Sequence, residues 1–266
     1  MKKITLTICG DGYTGKTAIT IRLCKSRWSD EYDSTVQDAY TLTRRVEGQD
    51  YTVVIIDTAG QEEYRACWDN FHQDSEAFLL VYDITNAKSF YELELLNEKI
   101  DELYEARSLE ARLGVQSNKR WTKSDGPPPP PIKIVLANKC DLQQSRVIGA
   151  QEGLRWAREH GCGFMETSAK EDVNVNESLN LLIKRAADAR AHARGPLGGR
   201  LSPLDIFPNT SLLSAASSSA PGTRHAPTAP LTPPSHAEDD SDESKGREPA
   251  RSRWAKLWKK MKCWQT

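Results

Sequence analysis

Proline is missing from residues 1 to 126 and again from 132 to 195; all 14 prolines of the 266-residue chain fall in the run Pro127–Pro131 or beyond Gly195. Helix interiors and central strands exclude proline, so the two proline-free stretches are read as the folded body. The six cysteines (Cys9, Cys24, Cys67, Cys140, Cys162, Cys263) contain no C-x-x-C pair, and the five histidines are equally dispersed, so spacing suggests no zinc cluster. No apolar stretch of signal-peptide kind opens the chain, and no apolar run reaches the length of a membrane-spanning helix. These absences predict a reducing, cytosolic compartment. A net charge of −1 gives no global pull toward nucleic acid, so no nucleic-acid partner is expected. There is no internal repeat, and a monomer is expected.

What is present alternates between two periods. Ile4, Leu6 and Ile8 repeat as in a strand, a glycine-rich loop follows, and a helix opens near Lys16. Leu42–Val46 and Tyr51–Ile56 flank Glu47-Gly48-Gln49-Asp50 and read as a hairpin. Ala77–Ile84 and Ile132–Ala137 are continuous apolar runs of the kind that form buried strands. Leu93, Leu96, Ile100 and Leu103, and later Leu179, Leu182, Ile183, Ala186 and Ala187, are spaced as one face of a helix. With Phe164–Thr167 as a further short strand, the expected fold is α/β: a six-stranded, mainly parallel sheet flanked by helices, with one antiparallel edge hairpin. Ligands on such sheets lie at the carboxyl ends of the strands.

Four motifs sit at those ends. Gly10-Asp11-Gly12-Tyr13-Thr14-Gly15-Lys16-Thr17, followed by Ala18, has the phosphate-loop spacing G-x-x-x-x-G-K-[ST]. Its glycines let successive backbone N–H groups point at phosphate oxygens, and the helix N-terminus adds positive partial charge. Lys16 is suited to the β and γ phosphates and Thr17 to Mg²⁺. Asp57-Thr58-Ala59-Gly60-Gln61 follows the strand Val53–Ile56; Asp57 can hold a Mg²⁺-bound water, Gly60 can bond the γ-phosphate and Gln61 can orient an attacking water. Asn138-Lys139-Cys140-Asp141 follows the strand Ile132–Ala137, and the Asp141 carboxylate can accept from N1–H and the exocyclic amine of guanine, donors that adenine does not offer on that edge. Ser168-Ala169-Lys170 supplies backbone donors near the guanine O6. Trp28 either lies against the base or is an ordinary surface tryptophan.

With four motifs in order, the chain resembles a small GTPase of the Ras superfamily over about residues 3–104 and 132–190. The resemblance implies a P-loop nucleoside triphosphatase G domain that cycles between GTP and GDP with Mg²⁺. It further implies catalytic roles for Gln61, Lys16 and Thr35, and a metal contact through Thr35. Tyr32-Asp33-Ser34-Thr35-Val36-Gln37-Asp38-Ala39-Tyr40 is similar to the effector segment containing switch I, and Asp57 to Tyr64 to switch II. Asp38, Tyr40, Ile56 and Ser89-Phe90 are Ras-like, whereas Gly10-Asp11-Gly12 is also similar to the Rho branch. Exchange factors, activating proteins and effectors are the implied partners. Tyr13 stands where Ras has glycine, and Ser34, Gln37 and Ala39 also depart from the Ras pattern. The resulting expectation is a GTP-hydrolysing signalling switch. The alternative is a hydrolysis-impaired GTP-binding scaffold working through its insertion and tail; Asn138 and Asp141 disfavour a kinase or ATPase.

The G domain is placed at 1–195, with an insertion over about 105–131 that first extends the preceding helix and ends in polyproline. That run is either a rigid spacer or a ligand for an SH3 or WW domain. Residues 196–250 have a disordered linker's composition. Within 251–266, Trp254, Leu257, Trp258 and Met261 share one helical face, while Lys256, Lys259, Lys260 and Lys262 occupy others. This basic amphipathic segment predicts contact with anionic lipid, the other reading being an unstructured basic tail. Cys263 lies four residues from the end, as prenylation requires, but Trp264-Gln265-Thr266 lacks the usual aliphatic pair. The expected location is the cytoplasmic side of a membrane, the plasma membrane first.

Overall fold

The computed structural model describes residues 2–28, 37–58, 75–113 and 128–193. Its strands are β1 (Lys2–Gly10), β2 (Gln37–Val46), β3 (Gln49–Thr58), β4 (Ala77–Asp83), β5 (Ile132–Asn138) and β6 (Gly163–Glu166). The helices are α1 (Lys16–Lys25), α2 (Ala87–Leu113), α3 (Ala150–Glu159) and α4 (Val175–Ala193). They form one six-stranded sheet in the order β2-β3-β1-β4-β5-β6. Every pairing is parallel except β2 with β3. This is the α/β architecture that the alternating periods predict.

Both sheet faces are covered, which explains why the central strands read as unbroken apolar runs. Successive strand residues point to opposite faces. In β4, Ala77, Leu79 and Val81 join the core beneath α1 and α4, while Phe78, Leu80 and Tyr82 join the core beneath α2 and α3. On α2, Phe90, Leu93, Leu96 and Ile100 are buried, the stripe expected from spacing. Leu103 and Ala187, at the far ends of the predicted stripes, are only half-buried. Leu79 has no exposed surface, and truncating such a core leucine to alanine costs about 2–5 kcal/mol.

One local feature differs from the sequence reading. The β2–β3 turn is two residues, not four: Val46 pairs with Gln49, and Glu47 and Gly48 have φ of 48° and 78°. Positive φ at both positions matches the right-handed strand twist. Pro128 and Pro129 are buried.

The amino ends of the parallel strands are tied by a buried carboxylate. Glu76 accepts the Thr5 N–H through Oε1 at 3.2 Å, and its own N–H donates to the Thr5 carbonyl at 3.1 Å. Arg190 of α4 embraces the same carboxylate with two donors and bonds the Lys3 carbonyl at 2.6 Å. Arg107 of α2 donates to the Ser75 carbonyl at 3.0 Å. Under α2, the Lys133 ammonium of β5 reaches Asn97 at 2.6 Å and Asp101 at 2.7 Å.

Candidate nucleotide-binding site

At the opposite, carboxyl ends of the strands, β1 stops at Gly10 and α1 begins at Lys16. The loop between them can form only because its glycines lack side chains. A Cβ on Gly10 would come within 2.2 Å of the Val81 carbonyl oxygen of β4, and one on Gly15, at φ 92°, within 2.4 Å of Asn138 Nδ2. Tyr13, also in the loop, has φ 62°, a conformation that costs a side-chain-bearing residue energy. The residue is 69 % exposed. Lys16 Nζ donates to the Asp11 carbonyl at 2.8 Å, curling the loop around the ammonium. Burial lowers the Lys16 pKa, against the opposing pull of Asp57, Cys9 and Asp11. The Asp11 carboxylate accepts the Gly12 N–H at 2.8 Å and stands 3.8 Å from the Lys88 ammonium.

Asn138 fastens this loop to the predicted base loops. Its Nδ2 donates to the Thr14 carbonyl at 2.8 Å. Its Oδ1 accepts the Thr167 hydroxyl and the Ala169 N–H, each at 3.3 Å. The Ser168 hydroxyl donates to Asp141 at 2.6 Å and accepts the Glu171 N–H at 3.0 Å, which fixes one carboxylate oxygen. Lys139 lies 2.7 Å from Asp83, itself held by the Thr85 N–H and hydroxyl. The Cys140 thiol is pushed up to about 11 by burial and the nearby Glu166 and Asp141 carboxylates, so it is not a thiolate at neutral pH.

Asp57, near the end of β3, has no exposed surface, and neither carboxylate oxygen makes a hydrogen bond of ordinary geometry. Burial pushes its pKa up to about 6, although the Thr17 hydroxyl and the Lys16 ammonium both pull the other way. An orphaned buried carboxylate normally has a partner supplied from outside the chain. Beside a hydroxyl at the start of a phosphate-binding helix, that partner fits a hard, oxygen-seeking dication such as Mg²⁺ with its waters. Thr17 and Asp57 would hold it.

The structure thus brings together Gly10–Ala18, Asp57, Asn138–Asp141 and Ser168–Lys170. Gly60, Gln61, Tyr32, Asp33, Ser34, Thr35, Val36 and Cys263 lie outside the described residues. Asp38, Ala39 and Tyr40 belong to the edge strand β2; Asp38 and Ala39 are exposed and Tyr40 is partly so. An unpaired strand edge offers main-chain groups to a partner. Trp28, 37 % exposed, closes the described stretch after α1.

Residues 5–188 match the profile of the Ras family. The chain belongs to the Ras family. Its relatives include the "Ras-like protein B" of Aspergillus fumigatus, 34% identical over 212 residues, 73% of this chain and 87% of that protein. It is 36% identical over 185 residues to "Protein ras-2" of Neurospora crassa, spanning 70% of this chain and 80% of that one. A "Ras-like protein" of Laccaria bicolor is 34% identical over 198 residues. As a Ras-family small GTPase, the protein is a GTP-binding enzyme that hydrolyses GTP.

Sequence reading missed several residues that serve this Ras-family site. Asp83 pairs with Lys139 from another strand end. Arg22 of α1 donates to the carbonyls of Ala169 and Lys170. A charged residue on a predicted helix carries no local sign of a partner 147 positions away, so no motif could have announced it.

Proposed function

We propose that this GTPase is a signalling switch at a membrane surface, in which Mg²⁺-bound GTP is held by Gly10–Thr17 and read by Asn138, Asp141 and the Ser168–Lys170 backbone. The observation that carries this reading is the Asn138 side chain. One amide ties the phosphate loop to the base loop, so a nucleotide touching either loop is felt by both. Mg²⁺ would supply charge neutralisation on the β and γ phosphates, held by Thr17 and Asp57, with Thr35 added in the GTP state. Lys16 neutralises phosphate charge directly, and Gln61 orients the attacking water in line with the departing phosphate. Losing the γ-phosphate frees Thr35 and Gly60, and their segments relax. Effectors read that change at residues 32–40, of which Asp38–Tyr40 lie in the edge strand β2. Exchange factors and activating proteins set the rates.

The tail is proposed as the anchor. Its basic amphipathic segment 251–266 would lie on anionic lipid at the cytoplasmic face, the plasma membrane first, with Cys263 as the lipidation site if that thiol is modified. The burial of Pro128 and Pro129 favours the spacer reading of the polyproline run over display to an SH3 or WW domain.

The decisive experiment extracts and identifies the nucleotide carried by the purified full-length protein, then follows conversion of GTP to GDP in a single turnover. Bound guanine nucleotide and slow hydrolysis abolished by Gln61→Leu support the switch; an empty protein indifferent to millimolar GTP overturns it. Tyr13 favours a second reading. A left-handed, exposed aromatic beside the phosphates suits a GTP-bound scaffold with impaired turnover, and hydrolysis that does not change on Gln61→Leu would select it.

A further inference from the structure

Arg22 lies six residues beyond Lys16 on the phosphate-binding helix, with its side chain only 11% exposed. Its Nε donates to the Ala169 carbonyl at 2.9 Å and its Nη2 to the Lys170 carbonyl at 2.7 Å. Asp172 stands 4.0 Å from the same guanidinium. The guanidinium is a rigid planar fork, and two donors on two successive carbonyls fix both peptide planes. A peptide N–H points away from its own C=O, so holding the Ala169 carbonyl toward α1 turns the Lys170 N–H to the opposite side. The Ala169 N–H meanwhile makes only a long 3.3 Å contact with Asn138, one that a further acceptor can share. The geometry therefore straps the base loop to the helix that holds the phosphates, independently of the Asn138 link.

We propose that Arg22 is a positioning residue for the guanine base: its hydrogen bonds to the Ala169 and Lys170 carbonyls hold the Lys170 N–H, next to the Ala169 N–H, against O6 and so set base discrimination and nucleotide retention. This rests on the reading that the site holds a guanine nucleotide. Arg22 touches no nucleotide atom itself; it acts through two carbonyls.

The test uses the full-length protein loaded with fluorescent GDP, comparing wild type with Arg22→Ala, Arg22→Gln and Arg22→Lys. Release into excess GDP should accelerate about tenfold in Arg22→Ala, the effect of losing charge-assisted hydrogen bonds. Arg22→Lys, whose ammonium is not a fork, should fall between wild type and alanine. Competition then separates positioning from general loosening. The preference for GDP over 2-aminopurine riboside diphosphate, which lacks O6 and the N1 proton, should drop about tenfold in Arg22→Ala. The preference over inosine diphosphate, which keeps O6, should stay within about twofold. Equal loss for all three nucleotides, or unchanged release, would overturn the proposal. If Arg22→Ala does not fold, the glutamine and lysine variants carry the same comparison. A wild-type protein that retains no GDP would refute the guanine reading, and this one with it.

Discussion

The two ends of the sheet treat buried charge in opposite ways. At the amino ends, the Glu76 carboxylate is saturated from within the chain by Arg190 and the Thr5 N–H. At the carboxyl ends, Asp57 is buried with no ordinary hydrogen bond, and the Lys16 ammonium makes do with a backbone carbonyl. A charge that the fold satisfies itself serves the fold. One that it buries and leaves waiting serves a ligand, and the cost stays with the protein until that ligand arrives.

The sharpest way to break the comparison is to remove a charge at each end and see which property falls. Lys16→Ala should weaken GDP binding by at least about a hundredfold, since a charge-assisted partner of a phosphate is lost, while nucleotide-free stability holds or improves. Titration with fluorescent GDP and urea unfolding measure the two. Arg190→Ala should do the reverse, costing about 3 kcal/mol in urea unfolding because the buried Glu76 carboxylate loses its guanidinium partner, with GDP affinity per folded molecule unchanged. A nucleotide defect as large as that of Lys16→Ala would erase the distinction.

A smaller effect tests the sign. The Asp57 pKa in the fold, about 6, lies above its ordinary 3.8, so the ionised form is the one that burial penalises. The penalty is present at neutral pH and fades as pH falls from 6 toward 4. Asp57→Asn should therefore stabilise the nucleotide-free protein at pH 7.5 by on the order of 2 kcal/mol, while abolishing the benefit of added Mg²⁺ to GTP retention. Unfolding in EDTA, with and without nucleotide, reads both; a destabilised variant would show that the carboxylate supports the fold after all.

The smallest expected effect lies on the α2–α3 side. Burial pulls His160 down, but its hydrogen bonds to the Glu94 carboxylate and the Trp156 carbonyl outweigh that, with Lys133 opposing, and its pKa is raised above 6.5. The charged form is favoured in the fold, so its stabilisation is complete below about pH 6.5 and is lost as pH rises through the folded value. Melting temperature should decline slightly over that interval in wild type and flatten in Glu94→Gln. An identical slope in the variant would remove Glu94 from the account.

What was legible in the sequence was whatever is contiguous. Gly10–Thr17, Asn138–Asp141 and Ser168–Lys170 declare themselves because each motif is one turn of chain at one strand end, and the apolar runs of β4 and β5 because both faces are covered. The turn at Glu47-Gly48 was placed but drawn two residues too long, since composition marks a glycine turn without fixing which pair of residues closes it. Glu76–Arg190, Lys133–Asp101 and Arg22–Ala169 were invisible. Each joins groups between 32 and 147 positions apart, and a charged residue looks alike on a solvated face and in a buried clasp.

Helix α2 runs 27 residues, about 40 Å at 1.5 Å per residue, whereas β4 beside it has 7 residues and spans about 23 Å. Past Arg107, which is still pinned to Ser75, the helix outruns the sheet and ends with Leu109 and Leu113 exposed. That overhang points away from the nucleotide pole. A partner that grasped it would do so from the far side of the body, leaving the edge at Asp38–Tyr40, which no described strand covers, to a second occupant at the same time.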